Sequence, residues 1–265
     1  MSGAAPLPRR RFLIPASSTV EMGAKQLPID PYLMGVLLGD GCFRKGLSIS
    51  SADDEIMHAV AALLPSDLSL KKEGKYDYKL VLPGGRGHGR GGRAYYGHPL
   101  TQVLRDYGLH GLLSMEKFVP EIYLHNSAAA RLALLQGLMD TDGSVANTQG
   151  TIEFSSTSPH LAAAVEYLVA SFGGKTATKQ RITRYTDKFG ARKDGLPSFR
   201  VRIRLPQVVP FRLSRKIARL VPPVSTCDER VLWTIDEVEA SGCTVVTVNS
   251  IDNTFVLEHG IVAHG

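Results

Sequence analysis

The chain carries one nine-residue pattern twice. Leu33–Gly41 reads LMGVLLGDG, and 102 positions later Leu135–Gly143 reads LQGLMDTDG. A strand-like patch with a Ser-Ser pair follows each copy, at Ile49–Asp53 and Phe154–Ser158, and an amphipathic stretch follows each patch. These amphipathic stretches are Glu55–Leu64 and Leu161–Phe172. A recurring order of this kind predicts a tandem duplication of one helix–strands–helix unit.

Each copy of the pattern has the signals of a helix. Asp30-Pro31 supplies an N-cap side chain and a proline at the first helical position. Gly41 follows the last periodic residue, where we expect a glycine in the left-handed conformation to end the helix. The first copy therefore predicts a helix from Pro31 to Gly41.

Small residues recur four positions apart within these helices. Gly35 and Gly39 share one face of the first helix, and Gly137 and Thr141 share the same face of the second. Faces built from such residues allow two helix backbones to approach closely. We therefore predict that the two helices pack against each other.

This packing would place Asp40 and Asp142 side by side at adjacent helix C-termini. The negative end of each helix dipole and the neighbouring like charge both oppose ionisation there. A divalent cation, Mg²⁺ or Mn²⁺, is the natural compensator for two such carboxylates. A solvent-exposed Asp-Gly helix stop would explain either residue alone, but two in register favour a metal site.

The charge of the chain is modest in total and segregated in sequence. Its 31 Lys and Arg against 25 Asp and Glu give a net charge of +6 and a pI near 9.2. Residues 71–105 carry +6 and residues 175–216 carry +11, which leaves −11 for the rest. Two cationic tracts, one in each half, indicate binding to a polyanion.

The second tract contains a strand with an arginine face. Apolar and basic residues alternate strictly from Phe199 to Leu205, which places Arg200, Arg202 and Arg204 together on one side. No acidic residue occurs between Phe199 and Lys216, so we expect a polyanion to lie over these arginines. An ordinary solvated strand face is the alternative interpretation.

Composition excludes several other classes. With 43% hydrophobic residues among 265, the chain is neither wholly disordered nor collagen-like. It has no apolar run of the roughly 18–20 residues that a spanning helix needs and no signal-peptide stretch, so we expect a cytoplasmic protein with no membrane partner. We also expect a prokaryotic or phage-type host. Cys42, Cys227 and Cys243 are far apart and indicate neither disulfides nor a cysteine zinc site.

The paired motifs, their spacing and their flanking helices resemble those of the LAGLIDADG (dodecapeptide, DOD-type) homing endonucleases, in the single-chain form with two repeats. The resemblance covers roughly Pro31–Pro222. It implies an α+β fold of two pseudo-symmetric αββαββα repeats with saddle-shaped antiparallel sheets. The implied boundaries are a lead-in at 1–30, repeats at 31–125 and 126–222, and a C-terminal segment at 223–265.

The resemblance also implies an activity, the site-specific hydrolysis of both strands of double-stranded DNA. The eighth motif position is the metal-binding acid, here Asp40 and Asp142. A catalytic lysine is implied near each centre, and Lys117 in EKFVP and Lys216 in PFRLSRK match those blocks. Asp140, whose counterpart is Leu38, is expected to cap or support the second site.

Because the two halves differ, we expect a long asymmetric site in double-stranded DNA. We expect the protein to act as a monomer. The candidate DNA-binding residues are basic side chains of the two tracts. They are Lys79, Arg86, Arg90, Arg93, Arg181, Arg184, Arg200, Arg202 and Arg204.

The last part of the chain carries a second resemblance. Residues Trp233–Gly265, with Cys243 and the penultimate His264, are similar to the terminal blocks of inteins, and the lead-in is similar to the start of an intein-borne endonuclease. These residues are expected to form a small β (Hint-like) segment with His264 and Cys243 as splicing remnants. Since Gly265 has no side-chain amide that could cyclise, we expect that the chain does not splice by itself.

Two alternatives to a nuclease remain at this stage. One is a catalytically inactive DNA-binding module, which would keep the basic surfaces but usually lose one motif acid. The other is a part of a protein-splicing intein. The presence of both Asp40 and Asp142 favours the nuclease.

Overall fold

The computed structural model describes residues 12–14, 17–44, 46–82, 99–146, 150–186, 190–221, 230–232, 254–257 and 261–264. Within those ranges, no helix is both long and apolar enough to cross a membrane.

The first repeat follows a short strand, β1 (Phe12–Ile14), and a lead-in. Its elements are α1 (Pro31–Asp40), β2 (Gly41–Cys42), β3 (Ser48–Ser50), α2 (Asp54–Leu63), β4 (Ser69–Lys72), β5 (Asp77–Val81) and α3 (Pro99–Asp106). A 3-10 turn at Ser114–Glu116 and the one-turn helix α4 (Glu121–Leu124) lead to the second repeat.

The second repeat has the same order of elements. They are α5 (Ala128–Asp142), β6 (Gly143–Ala146), β7 (Thr151–Ser156), α6 (Pro159–Ala170), β8 (Lys175–Thr186), β9 (Arg192–Arg204) and α7 (Ser214–Ile217). Three short strands follow, β10 (Arg230–Leu232), β11 (Thr254–Leu257) and β12 (Ile261–His264).

The strand order is the same in both repeats. One four-stranded antiparallel sheet has the order β2-β3-β5-β4 and the other has the order β6-β7-β9-β8. Helix α2 follows the second strand of its sheet, and α6 occupies the same place in the other repeat. The predicted α+β fold with two αββαββα repeats is therefore confirmed.

Helix α1 begins as the sequence predicts but ends differently. The Asp30 carboxylate accepts hydrogen bonds from the backbone N–H groups of Tyr32 (2.8 Å) and Leu33 (3.2 Å) and so caps the helix. Gly41 was expected in the left-handed region, and this is wrong: its φ of −79° and ψ of 146° are extended. Glycine is needed here for space, since a Cβ would lie 2.9 Å from the carbonyl carbon of Leu37.

The predicted packing of α1 against α5 is confirmed. A Cβ on Gly35 would lie 2.9 Å from the Cα of Gly137, and a Cβ on Gly137 would lie equally close to the Cα of Gly35. One turn further on, Gly39 faces the side chain of Thr141. The two backbones touch, and both helices are buried on nearly all sides.

The sheets cover their helices with one apolar face each. On β9, Val201 and Ile203 are buried, while Arg200, Arg202 and Arg204 between and beside them are exposed. The predicted alternation of this strand is thus confirmed, and the arginines point away from the core.

The strands outside the repeats form two small sheets. β1 pairs antiparallel with β10, so strands before and after the two repeats meet. β11 pairs antiparallel with β12, where His264 is opposite Thr254. Cys243 lies outside the described residues, as does the side chain of His264.

The contact between α1 and α5 predicts that no side chain larger than that of glycine fits at position 35 without a loss of stability. Gly35→Ala is expected to lower the free energy of unfolding by about 1–3 kcal/mol, because the added methyl group meets backbone atoms of α5 that cannot move independently. Urea unfolding followed by circular dichroism measures the change. Gly23→Ala is the control, since a Cβ there has no neighbour within 4 Å. Equal effects of the two substitutions would contradict the close contact.

Candidate metal and nucleic-acid site

Asp40 and Asp142 are the last residues of α1 and α5 and are partly buried. Burial, followed by the negative charge of Asp40, raises the pKa of Asp142 to about 6. Burial is also the main cause that raises the pKa of Asp40. The two carboxylates therefore lie close enough to interact, and the pKa of each is raised. Burial is the main cause, whereas the sequence suggested the helix dipole and the like charge.

The side chain of Lys117 caps the C-terminus of α1. Its Nζ donates hydrogen bonds to the backbone oxygens of Gly41 (2.6 Å), Leu38 (2.9 Å) and Leu37 (3.2 Å). Leu37 and Leu38 belong to the last turn of α1, where backbone oxygens are short of partners within the helix, although the Gly41 N–H also donates to the Leu37 oxygen. The ammonium group therefore caps the helix and offsets the negative end of its dipole.

The side chain of Lys216 caps the C-terminus of α5 in the same way. Its Nζ donates to the backbone oxygens of Met139 (2.8 Å), Asp140 (2.6 Å) and Gly143 (2.6 Å). Both lysines are almost fully buried, with 2% of Lys117 and 4% of Lys216 exposed. The structure thus places the two predicted lysines at equivalent positions in the two repeats.

The two lysines and the two aspartates form one electrostatic unit. Burial lowers the pKa of each lysine to about 8. Asp142 and Asp40 oppose this change at Lys117, and Asp140 opposes it most at Lys216. The lysines in turn lower the pKa of both aspartates, although less than burial raises it. Two positive and two negative groups therefore share the space at the ends of α1 and α5.

The donor set at this place fits a hard divalent cation. Asp40 and Asp142 offer carboxylate oxygens at the ends of two touching helices. Across the described ranges, no cluster of three or more His, Cys, Asp or Glu side chains could hold a metal ion. Two carboxylates still suit Mg²⁺, which usually keeps several waters and takes its other ligands from substrate phosphates.

Asp140 supports the second half of the site, as expected, and is not available as a ligand. Its carboxylate accepts hydrogen bonds from the Tyr32 hydroxyl (2.9 Å) and from the backbone N–H groups of Arg212 (3.1 Å) and Leu213 (3.2 Å). The Arg212 guanidinium lies 4.1 Å from the centre of the Tyr32 ring. Leu38, the counterpart in α1, is buried in the core.

The second sheet presents a dense cationic face. Lys175 lies directly opposite Arg204 across β8 and β9, and Lys179 lies opposite Arg200. Such a concentration of positive charge attracts a polyanion. Arg181 continues the same row and is exposed.

This face also has an acidic neighbour that the sequence of the strand does not show. The adjacent strand β7 supplies Glu153. Its carboxylate lies 3.0 Å from Arg202 Nε and 3.9 Å from Arg200 Nη1. Sequence reasoning missed it because pairing of β7 with β9 joins residues about fifty positions apart.

The remaining basic candidates are distributed as follows. Lys79 lies opposite Lys71 in the first sheet, with Glu73 at 3.8 Å. Arg184 is exposed on β8 and paired with Asp194 at 2.9 Å. Arg86, Arg90 and Arg93 lie outside the described residues.

Comparison with known proteins adds a family match in the second repeat. Residues 129–203 match the LAGLIDADG-like domain, a range that contains most of α5, all of β6 to β8 with α6, and most of β9.

Two curated relatives are replicative DNA helicases. The replicative DNA helicase DnaB of Mycobacterium intracellulare is 29% identical over 178 residues, which cover 67% of this chain and 22% of the helicase. The helicase DnaB of Rhodothermus marinus is 29% identical over 180 residues, which cover 63% of this chain and 18% of that protein. The chain thus spans about a fifth of the length of these relatives.

Similar solved structures include those of the homing endonuclease I-DmoI. Mesophilic variants of that enzyme give a TM-score of 0.38 at 15% identity, covering 72% of this chain and 92% of theirs. I-DmoI in complex with DNA and Ca gives a TM-score of 0.41 at 12% identity, covering 72% of this chain and 96% of that one.

The raised pKa of Asp142 predicts a gain in stability when its charge is removed. Asp142→Asn is expected to raise the free energy of unfolding of the metal-free protein at neutral pH by about 1–3 kcal/mol. Wild type regains this stability as the pH falls from about 6 towards 4, because the folded state then takes up a proton that the unfolded state, with its ordinary pKa of 3.8, does not.

Urea unfolding in EDTA at several pH values measures both effects. The gap between wild type and Asp142→Asn should close as the pH falls. Asp67→Asn, at an exposed position, should give no such pH-dependent gap. A variant less stable than wild type at neutral pH would contradict the cost assigned to the Asp142 charge.

Proposed function

We propose, from the LAGLIDADG-like domain matched by residues 129–203, that the chain is a site-specific DNA endonuclease that hydrolyses a phosphodiester in each strand of a duplex with a divalent metal. One observation carries this proposal. Two carboxylates, Asp40 and Asp142, meet at the ends of touching helices, and each helix belongs to a repeat with a cationic sheet.

The sheets would hold the DNA. Rows of Lys and Arg on β4, β5, β8 and β9 neutralise phosphates and release counterions, which supplies affinity without regard to sequence. Residues of the same strands would contact base edges in the grooves. Because the β8–β9 ribbon is much longer than β4–β5, the two halves would cover unequal stretches of a long asymmetric site.

Asp40 and Asp142 would hold the metal, Mg²⁺ or Mn²⁺. When bound, such an ion activates a coordinated water for attack and stabilises charge on the phosphate oxygens. The two carboxylates must be ionised to bind it, and the pKa of about 6 for Asp142 permits this at neutral pH. Since one chain supplies both acids, we infer that a monomer suffices.

Lys117 and Lys216 would each place an ammonium group beside one scissile phosphate. Their donors lie on helix carbonyls in this structure, so contact with a water or a phosphate oxygen requires the exchange of one of these hydrogen bonds. With a pKa of about 8, both lysines remain mostly protonated at neutral pH and are suited to stabilise negative charge.

An inactive DNA-binding module would need the sheets but not the acids. Such a module would not require two partly buried carboxylates with raised pKa values, because they oppose the stability of the fold. We therefore favour the nuclease over the binding module.

A second function, as part of an intein in a replicative helicase, is favoured by a separate observation. β1 and β10 pair although both repeats lie between them, which is the arrangement expected of an endonuclease inserted into another small module. The similarity to two replicative helicases over about a fifth of their length agrees with an insertion. Sequencing of the flanking reading frame tests this: helicase segments on both sides support it, and an unrelated frame contradicts it.

Cleavage of plasmid DNA tests the nuclease directly. A supercoiled plasmid that carries an uninterrupted replicative-helicase gene is incubated with the protein and Mg²⁺, and linear product is measured on a gel. Wild type should linearise the plasmid, and Asp40→Asn and Asp142→Asn should each slow the reaction about 100-fold or more, because each removes a metal ligand.

Asp67→Asn is the matched carboxylate control and should cut like wild type, while EDTA should stop all cutting. Wild-type protein that leaves the plasmid intact would contradict the proposed activity. Unchanged cutting by both motif variants would contradict the assigned site.

A further inference from the structure

Three carboxylates hold the residues directly before Lys216. We call residues 212–216 the Lys216 segment. Asp140 accepts hydrogen bonds from the backbone N–H groups of Arg212 and Leu213, at 3.1 and 3.2 Å. Asp140 belongs to α5, so this anchor lies within the second repeat.

The other two carboxylates come from the first repeat. Glu55, in the first turn of α2, accepts from the backbone N–H of Ser214 (3.1 Å) and from its hydroxyl (2.6 Å). Asp53, the N-cap residue of α2, accepts two bonds from Arg215, from Nε at 2.7 Å and from Nη2 at 2.6 Å. Four consecutive residues of the Lys216 segment are thus fixed to two different repeats.

The equivalent place in the first repeat is built differently. Lys117 follows the 3-10 turn, where the Glu116 carboxylate accepts from the backbone N–H of Leu113 at 2.7 Å, within the same repeat. The second repeat contributes the Ser158 hydroxyl, which donates to the backbone oxygen of Lys117 at 2.6 Å. Among the described residues, no carboxylate of the second repeat bonds to residues 113–117.

Stability alone is a poor explanation for the contacts from α2. The Asp53–Arg215 pair is partly solvent-exposed, with side-chain exposures of 25% and 56%, and exposed ion pairs contribute little to folding. However, the bidentate pair with Asp53 and the two hydrogen bonds to Glu55 fix both the orientation of residues 214 and 215 and their distance from α2. They determine where the backbone beside Lys216 lies relative to α1 and its Asp40.

We propose that Asp53 and Glu55 of the first repeat are positioning residues for Lys216 of the second repeat. This rests on the proposed nuclease function, in which Lys216 serves one of the two strand cleavages. A misplacement of about 1 Å near reacting atoms slows a reaction substantially. Loss of these contacts therefore slows the cleavage of the strand that depends on Lys216. The cleavage of the other strand, which depends on Lys117, keeps its rate.

Strand-resolved single-turnover cleavage tests the proposal. A duplex with the target identified on the plasmid carries a different label on each strand, and the rate is measured for each. Lys216→Met identifies the strand that depends on Lys216. Asp53→Asn/Glu55→Gln should slow that same strand about tenfold or more relative to the other, with unchanged affinity for the duplex in Ca²⁺.

Single variants distinguish a change in the position of Lys216 from a change in the charge near Asp40. The negative charge of Asp53 raises the pKa of Asp40, so its removal alters both. Glu55→Gln tests position alone and should reproduce the strand bias. Asp53→Glu keeps the carboxylate and should restore most of the rate. Asp54→Asn, an exposed neighbour in the same turn, should have no bias.

A second readout does not depend on cleavage. Hydrogen–deuterium exchange of residues 212–217 should increase in Asp53→Asn/Glu55→Gln, while exchange of residues 113–117 should stay as in wild type. Equal slowing of both strands, unchanged rates, or unchanged exchange would overturn the positioning role. Failure of wild type to cut at all would instead overturn the proposed function, and the exchange result would still decide whether α2 holds the segment.

Discussion

The contact between the backbones of Gly35 and Gly137 is the constraint on which the rest of the structure depends. It brings the C-termini of α1 and α5 together, and with them two carboxylates and the backbone oxygens of the last turn of each helix. Such an end is unfavourable on its own, since dipoles and charges of the same sign accumulate there. The buried ammonium groups of Lys117 and Lys216 offset this by donating hydrogen bonds to backbone oxygens of these turns. The candidate site is therefore a consequence of the helix packing and its electrostatic compensation.

The two halves share this plan and differ in how it is supported. In the second repeat, Asp140 joins Tyr32 to the chain before Lys216, whereas Leu38 fills the equivalent position with an apolar side chain. Carboxylates from α2 add contacts across the repeats on one side only. The basic surfaces also differ in length. A duplicated fold can thus carry two unequal half-sites, as an asymmetric substrate would require.

The sequence predicted what depends on local pattern. The repeated motif, the Asp30 cap, the glycine face and the alternation of β9 were all visible, and together they located Asp40 and Asp142. Apart from the packing of the two motif helices, contacts between distant segments were not visible. Lys117 caps carbonyls about eighty positions away, and Glu153 meets Arg202 only through strand pairing, so no spacing indicated either. Gly41 was predicted as a glycine of the left-handed region, while its actual role is to leave room beside Leu37.

Crystallography of the protein with its DNA duplex and Mn²⁺ tests the central claim most directly, because anomalous scattering locates the metal without reference to activity. The account predicts an anomalous peak within coordination distance of both Asp40 and Asp142 that disappears in Asp40→Asn/Asp142→Asn. Manganese bound elsewhere on the chain, or the same peak in the double variant, would contradict it.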